Sequence, residues 1–449
     1  MKNQDNGDMK RTIGLLSGVG ILVGYVIGAS IFITPGTLAS QNGPSVWLSY
    51  FLAGAVAFAL CFVYAQIGAM VPVSGGIYIF SSLTTTEYGG FLYVLYNAII
   101  FAFGTPLMAI TAATYLQAFF PSLNITITAF VMLLLTFVIN IFGNKVSGKL
   151  QTAVIVFLVI ILTLFTAAGI INADWGNFTP AFPVGVKPII VGILACYYSF
   201  TGFNILTEMA GEVKNPDKNV PRIIFLGFAL VMVLYVGVCV ALVAAMPPGE
   251  LGMGKPVMDA GSKILGDWFA TAVGIAAICG AWTTLNACFL GLPRSFYQLG
   301  KSNLLPPIFA KLNKYGVPVY SLVLFTIIVE VSLIFSNGVL YLINMTSLFF
   351  LLIAILLSVG ALRIKKTMKE EYDSVGYKLK GAAYYIWPIL TIIFSTYIAV
   401  DFMLGDLQAT ALTVITTVIG FIAYVARKKV LQKKGIDLLE KMREGLTEE

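Results

Sequence analysis

The sequence predicts an all-α membrane protein with twelve transmembrane helices, arranged as a five-plus-five inverted repeat with two extra C-terminal helices. Three observations lead to this fold class. Hydrophobic residues make up 58% of the 449 residues, charged residues only 11%, and the mean hydropathy is +0.90. Twelve apolar stretches of about 20 residues, the length that crosses a bilayer, account for nearly the whole chain. The first and the sixth of these stretches are interrupted at corresponding places.

The predicted spans follow one another through short connections and form one membrane domain, 1–427. Repeat one covers about 12–172, repeat two about 187–362 and the extra helices about 384–426. The remaining 428–449 is a charged cytoplasmic tail, for which a helix on the lipid surface and a solvated tail are both open. The twelve spans lie near 12–38, 46–71, 89–118, 124–143, 151–172, 187–211, 222–246, 264–292, 318–336, 338–362, 384–403 and 409–426.

The inverted repeat is inferred from the number of spans on each side of the loop 173–186. Five spans precede this loop and five follow it before Arg363. An odd number of spans in each half makes the second half run opposite to the first. The two interrupted helices are then the first members of their repeats.

Charge placement predicts a multi-pass protein of the cell membrane with both termini in the cytoplasm. Of the 28 Lys and Arg residues, only Lys187, Lys255 and Lys263 fall on the outer side of the predicted spans. This bias follows the positive-inside rule. The net charge of +7 therefore serves topology, and no nucleic-acid partner is expected.

The residue inventory argues against an enzyme. The chain has no histidine, which excludes imidazole proton relays, histidine-bound metals and serine–histidine or cysteine–histidine catalysis. All cysteines fall within predicted spans without metal-like spacing, and none lies in an external loop where it could bind a partner subunit covalently. They are best interpreted as small packing residues: Cys61, Cys196, Cys239, Cys279 and Cys288.

The two interruptions predict a midplane binding site. An unpaired peptide group inside a bilayer costs several kcal/mol, so unwound backbone is expected only where it binds something polar. Unwinding at Gly28-Ala29-Ser30 would point free amides toward an anion, and unwinding at Ser199–Gly202 would present carbonyls to a cation. A free amino acid carries both charges on one carbon. The alternative for span one is a glycine stripe, Gly20, Gly24 and Gly28, that packs helices closely.

The same residues resemble the motifs of a known family. Gly28-Ala29-Ser30-Ile31-Phe32 is similar to the G-S-G-[IV]-F motif of the amino acid–polyamine–organocation (APC) permeases. The run from Glu212 through Asn215-Pro216 to Pro221-Arg222 resembles their sixth-helix signature. Pro72 to Tyr78 is similar to their P-x-S/T-G-G-x-Y loop. The resemblance covers essentially the whole chain, with the L-type amino acid transporter-like group as the nearest branch. It implies the five-plus-five fold and an amino acid bound between helices one and six.

Two departures from the family pattern bear on ion coupling. The L-type branch usually has a lysine in helix five, where this chain has Leu158. Helix eight carries Gly280-Ala281-Trp282-Thr283-Thr284, which resembles half of the sodium site in sodium-coupled transporters of this fold. By that resemblance, carbonyls of Gly24, Ile27 and Gly280 with hydroxyls of Thr283 and Thr284 would bind sodium. The alternative is that the two threonines hydrogen-bond to carbonyls of their own helix.

Acidic and aromatic residues within the spans are further candidates. Glu208 is expected to pair with Lys214 or Lys218 near the interface, with titration during transport as the alternative. For Glu330 and Asp401, helix packing is the expectation. Phe200 and Phe203 are expected to close over a bound substrate, as the family's gate aromatics do, and Tyr235 is a weaker pocket candidate.

The function predicted from these features is secondary active transport, as a symporter or exchanger, of small to medium neutral L-amino acids. No acidic residue lies in either break, which disfavours cationic substrates. A passive channel for small zwitterionic solutes is the alternative. No cofactor is expected beyond the hypothetical sodium ion. The predicted substrate contacts are Gly24, Gly28, Ala29, Ser30, Ile31, Ser199, Phe200, Gly202 and Phe203.

Overall fold

The described part of the chain is helical, with no β-strand among its residues. The computed structural model describes residues 11–28, 30–73, 75–143, 148–252, 254–301, 304–335 and 338–433, with backbone alone at 148–151 and 298. The α-helices are α1 Leu15–Ile27, α2 Ser30–Asn42, α3 Val46–Met70, α4 Gly76–Thr84, α5 Glu87–Phe119, α6 Ile125–Ile141, α7 Gly148–Ile171, α8 Lys187–Ser199, α9 Asn204–Glu208, α10 Pro216–Ala245, α11 Pro256–Leu265, α12 Asp267–Lys301, α13 Val319–Ile334, α14 Val339–Thr367, α15 Lys369–Ser374, α16 Ala383–Gly405 and α17 Leu407–Lys433.

The predicted spans all correspond to apolar helices. Within the described ranges, nine helical segments are long and apolar enough to cross a membrane, one of them being α8 with α9. The pair α1 and α2 passes the same test as one span bent by 42°. Two shorter apolar helices, α6 and α13, fill the positions of predicted spans four and nine. The prediction of an all-α, multi-span membrane protein is confirmed.

Several helices extend beyond the hydropathy limits. α10 begins at Pro216 rather than near 222, and α12 continues through Pro293 to Lys301 rather than ending near 292. α17 runs to Lys433, so the first residues of the predicted tail are helical, while the rest of that tail lies outside the described residues. Hydropathy falls where charged residues begin, whereas a helix continues as long as its own hydrogen bonds are satisfied.

The two broken spans lie among the central helices, and the last two helices lie at the edge. α1 contacts α7 and α10, and α8 packs between α3 and α14. In the most apolar part of α14, 72% of the residues are buried, compared with 28% in α16 and 22% in α17. A helix that leaves most of its apolar side chains uncovered faces lipid, so α16 and α17 form the periphery of the bundle.

A short backbone pairing joins the start of the first span to the end of the sixth. The Ile13 N–H donates to the Glu212 carbonyl at 3.0 Å, and the Lys214 N–H donates to the Ile13 carbonyl at 2.9 Å. The two broken spans are therefore tied together at the ends predicted to be cytoplasmic.

Candidate functional site

The first break occurs at Gly28, between α1 and α2. Its backbone has φ +43° and ψ −131°, a combination that residues with a side chain rarely adopt. The hydrogen bond from its N–H to the Gly24 carbonyl is stretched to 3.4 Å. α2 then begins at Ser30, so its first backbone amides have no carbonyl of a preceding turn to bind. Ala29 lies outside the described residues.

The second break covers Phe200 to Phe203, between α8 and α9. Gly202 has φ +106°, which again favours glycine. The Tyr198 carbonyl accepts hydrogen bonds from the Thr201 N–H at 3.0 Å and from the Thr201 hydroxyl at 2.7 Å. Thr201 thus caps one of the carbonyls that the sequence offered to a ligand.

The two breaks lie against each other. A β-carbon built on Gly202 would come within 2.8 Å of the Tyr25 ring on α1, so only glycine permits this approach. A β-carbon on Gly28 would lie 3.1 Å from the Thr284 hydroxyl on α12, and one on Gly280 would lie 2.9 Å from the Gly28 carbonyl. The end of α1, the break between α8 and α9, and α12 therefore meet where the backbone is irregular.

A cavity of about 70 Å³ opens at this junction. It is enclosed by α1, α2, α5, the α8–α9 break, α12 and α14, and among the described residues none of its lining side chains belongs to Asp, Glu, Lys or Arg. Of the predicted contacts, Gly28, Ser30 and Gly202 line it, as does Thr284.

The cavity collects buried polar atoms that have no hydrogen-bond partner among the described residues. Four of its lining residues carry such atoms, and most buried polar atoms in proteins are paired. The Ser30 hydroxyl lies near the Tyr235 hydroxyl, which itself donates to the Val26 carbonyl. These atoms suit a polar ligand: Ser30 Oγ, Thr105 Oγ1, Asn204 Oδ1 and Thr284 Oγ1.

The other predicted contacts are buried outside the cavity lining. Gly24 packs on α7, where an added β-carbon would meet Ile155 at 2.2 Å. Ile31 is fully buried, and the Ser199 hydroxyl pairs with that of Tyr50 at 3.1 Å. The packing role proposed as an alternative for the glycine stripe thus applies to Gly24, whereas Gly28 forms the break.

The two phenylalanines of the second break lie in an aromatic cluster. The Phe200 ring is 5.3 Å from Tyr235 and 6.2 Å from Tyr50, and Phe203 is 5.6 Å from Phe228. Neither ring lines the cavity. A role in closing over substrate stays a prediction that would require these rings to move.

The residues of the hypothetical sodium site divide into two groups. The Thr283 hydroxyl donates to the Gly280 carbonyl at 2.9 Å, which is the helix back-bonding named as the alternative. The Thr284 hydroxyl is buried, unpartnered and beside Gly28. The methyl groups of Leu158 approach Gly280, at 3.3 Å from where its β-carbon would be.

Glu208 does not pair with lysine, which corrects the expectation. Its carboxylate accepts hydrogen bonds from the Tyr93 hydroxyl on α5 and, at 3.3 Å, from the Asn204 amide. Within the described ranges no ion pair joins it to Lys214 or Lys218. The carboxylate therefore lies behind Asn204, one side chain away from the cavity.

The remaining acids lie outside the cavity lining. Glu330 is buried on α13, and neither of its carboxylate oxygens has a hydrogen-bond partner among the described residues. Asp401 is exposed on the peripheral helix α16.

Helix α5 supplies the part of the site that motif reasoning missed. Its lining residues recur every three or four positions, which is one face of a helix. Two polar residues on that face, in a helix that crosses the membrane, were the available signal. The lining residues from α5 are Asn97, Ile100, Phe101, Gly104, Thr105 and Met108.

The fold and the paired breaks define a multi-span membrane protein with a small uncharged cavity at the centre of its helices. The family model described as "Amino acid permease" matches residues 13–424, and the chain belongs to this family. The resemblance read from the sequence motifs is thereby confirmed at the level of the APC superfamily, and the L-type branch stays a prediction.

Several relatives are similar over much of the chain. A methylthioribose transporter of Bacillus subtilis is 28% identical over 68% of this chain and 70% of its own length. A cadaverine/lysine antiporter of Escherichia coli is 27% identical over 70% of this chain and 72% of its own. The Arabidopsis thaliana protein named cationic amino acid transporter 9, chloroplastic, is 28% identical over 70% of this chain, which spans only 59% of that relative. These relatives are transporters rather than enzymes, as the residue inventory predicted for this chain.

Proposed function

We propose that this protein is a secondary active transporter of small neutral L-amino acids. The observation that carries the proposal is the uncharged cavity between the two breaks, with Gly28, Ser30 and Gly202 on its wall. The amides that begin α2 suit a carboxylate, and the irregular backbone after Ser199 suits an ammonium group. A cationic side chain would require a buried acidic partner, and among the described lining residues there is none.

Alternating access would act on the contacts between the two repeats. The pairing of Ile13 with Val213 holds the ends of both broken spans together on one side of the cavity. Separating these two backbone segments would break two hydrogen bonds, each of which contributes about 1 kcal/mol of net free energy. We propose that this pairing closes the predicted cytoplasmic side and opens once per transport cycle.

Sodium coupling is a second part of the proposal, and it concerns fewer residues than the motif implied. The Thr284 hydroxyl, with carbonyls of the first span such as those of Gly24 and Ile27, would hold the ion. Oxygen ligands of this kind suit a hard cation. Thr283 and the Gly280 carbonyl are satisfied by each other and contribute less.

Binding and transport are tested with purified protein. Thermal stabilisation measured against the twenty amino acids, with sodium and with choline, should show a rise in Tm for a few small neutral amino acids. Proteoliposomes preloaded with the best ligand should then accelerate uptake of labelled ligand. Stabilisation by none of the amino acids, or uptake that does not saturate and ignores preloading as in a passive channel, would contradict the proposal.

A further inference from the structure

The cavity has polar side chains in its wall in addition to the backbone groups of the two breaks. Thr105 on α5 is fully buried, and its hydroxyl has no hydrogen-bond partner among the described residues. The Cys288 thiol lies within reach of this hydroxyl and can form at most a weak hydrogen bond with it, so the hydroxyl stays available to a ligand. Asn204, on the opposite side, uses its amide nitrogen on Glu208 and leaves its carbonyl oxygen unpartnered.

The positions of two residues on α12 show where Thr105 lies along the cavity wall relative to the first break. Thr284 lies beside Gly28, and Cys288 follows one helical turn later on the same face. One turn of helix rises about 5 to 6 Å. Because Thr105 lies beside Cys288, it lies about one turn of α12 further along the cavity wall than Thr284 and Gly28.

Helix α14 forms another side of the cavity, next to α5. Thr346 on α14 lies 3.4 Å from the position of a β-carbon on Gly104, so α5 and α14 are closely packed here. The Thr346 hydroxyl itself donates to the Leu342 carbonyl at 2.8 Å. The cavity itself is small, at about 70 Å³.

We infer that the substrate carries a short hydroxylated side chain, as in serine or threonine, and that Thr105 recognises the hydroxyl group. This inference rests on the proposed function and names the substrate class of the same site. An aliphatic side chain of equal size would leave Thr105 Oγ1 and Asn204 Oδ1 buried without partners, and sites built around polar groups discriminate strongly against such analogues.

The test compares amino acids of matched shape. Threonine and valine differ by a hydroxyl in place of a methyl, and serine and alanine differ by the hydroxyl alone. In proteoliposomes, we expect threonine to inhibit uptake of the labelled ligand at a concentration lower than that of valine by a factor of about ten or more. The same difference is expected between serine and alanine. The Thr105→Val variant should reduce both ratios toward one.

The control is Thr111→Val on the same helix. Thr111 is buried and donates to the Leu107 carbonyl at 2.8 Å without lining the cavity. It should keep the wild-type ratios. Valine competing as well as threonine, or Thr105→Val keeping the wild-type ratio, would overturn the inference while leaving amino acid transport intact. Failure of every amino acid to compete would instead overturn the proposed function.

Discussion

The two breaks differ in how their backbone is satisfied. At the first break the chain turns at Gly28, and α2 begins at Ser30 with amides that have no carbonyl of a preceding turn to bind among the described residues. At the second break four residues leave the helix, and Thr201 covers the Tyr198 carbonyl with two hydrogen bonds. The backbone at the start of α2 is therefore less satisfied by the protein itself than the backbone at the end of α8. We expect recognition of the carboxylate to depend on backbone geometry at Gly28, and recognition of the ammonium group to depend on fewer carbonyls than the motif suggests.

The largest expected effect is that of Gly202→Leu. A side chain there meets the Tyr25 ring at 2.8 Å from its first carbon, and φ +106° adds strain of about 1–3 kcal/mol. We expect this clash to push α1 away from the break between α8 and α9 and so to abolish uptake. Gly20→Ala is the control, because nothing lies within 4 Å of its added β-carbon. Wild-type uptake by Gly202→Leu would show that the breaks need not touch.

Gly28→Ala should have a smaller effect than Gly202→Leu, because it should weaken substrate binding without abolishing it. The added carbon would lie 3.1 Å from the Thr284 hydroxyl, a contact that a small shift relieves, but φ +43° with ψ −131° remains strained. We expect about a tenfold loss of apparent affinity, measured as the ligand concentration that half-saturates the rise in Tm. An unchanged affinity would mean that the first break does not hold the carboxylate.

The adjacent threonines give a smaller and more specific comparison. Thr284→Val removes an unpartnered hydroxyl beside Gly28 and should reduce sodium-stimulated uptake about tenfold. Thr283→Val removes a hydroxyl already bonded to the Gly280 carbonyl and should leave most of the stimulation. The measurement is uptake in sodium against choline. Equal uptake in both salts by the wild-type protein would exclude sodium coupling.

Tyr50→Phe is expected to have the smallest effect. It removes the 3.1 Å hydrogen bond to Ser199 at the end of α8 while keeping the ring beside Phe200. One net hydrogen bond corresponds to about 1 kcal/mol and a few degrees in Tm. Uptake should persist. A large loss of uptake at normal stability would show that Ser199 contributes to the site directly, as the sequence predicted.

Glu208 shows where reasoning along the chain fails. Lys214 is six residues away in sequence, and the sequence favoured a pair. In the structure the Lys214 N–H donates a hydrogen bond to the Ile13 carbonyl, while the Glu208 carboxylate accepts one from the Tyr93 hydroxyl on α5. The choice of partner depends on which helix covers the carboxylate, and a single helix does not carry that information.

The sequence by itself determined the helical membrane fold, the family and the positions of both breaks. The physical reason is that a bilayer allows backbone to unwind only at marked places, so glycine and hydropathy carry the information. Only the tertiary structure decided which side chains face the cavity. Ser199 ends α8 and Phe200 begins the break, but both side chains are packed away from the cavity, whereas Thr105, far from any motif, lines it. The rotation of each helix in the bundle decides these contacts, because it follows from mutual packing rather than from local sequence.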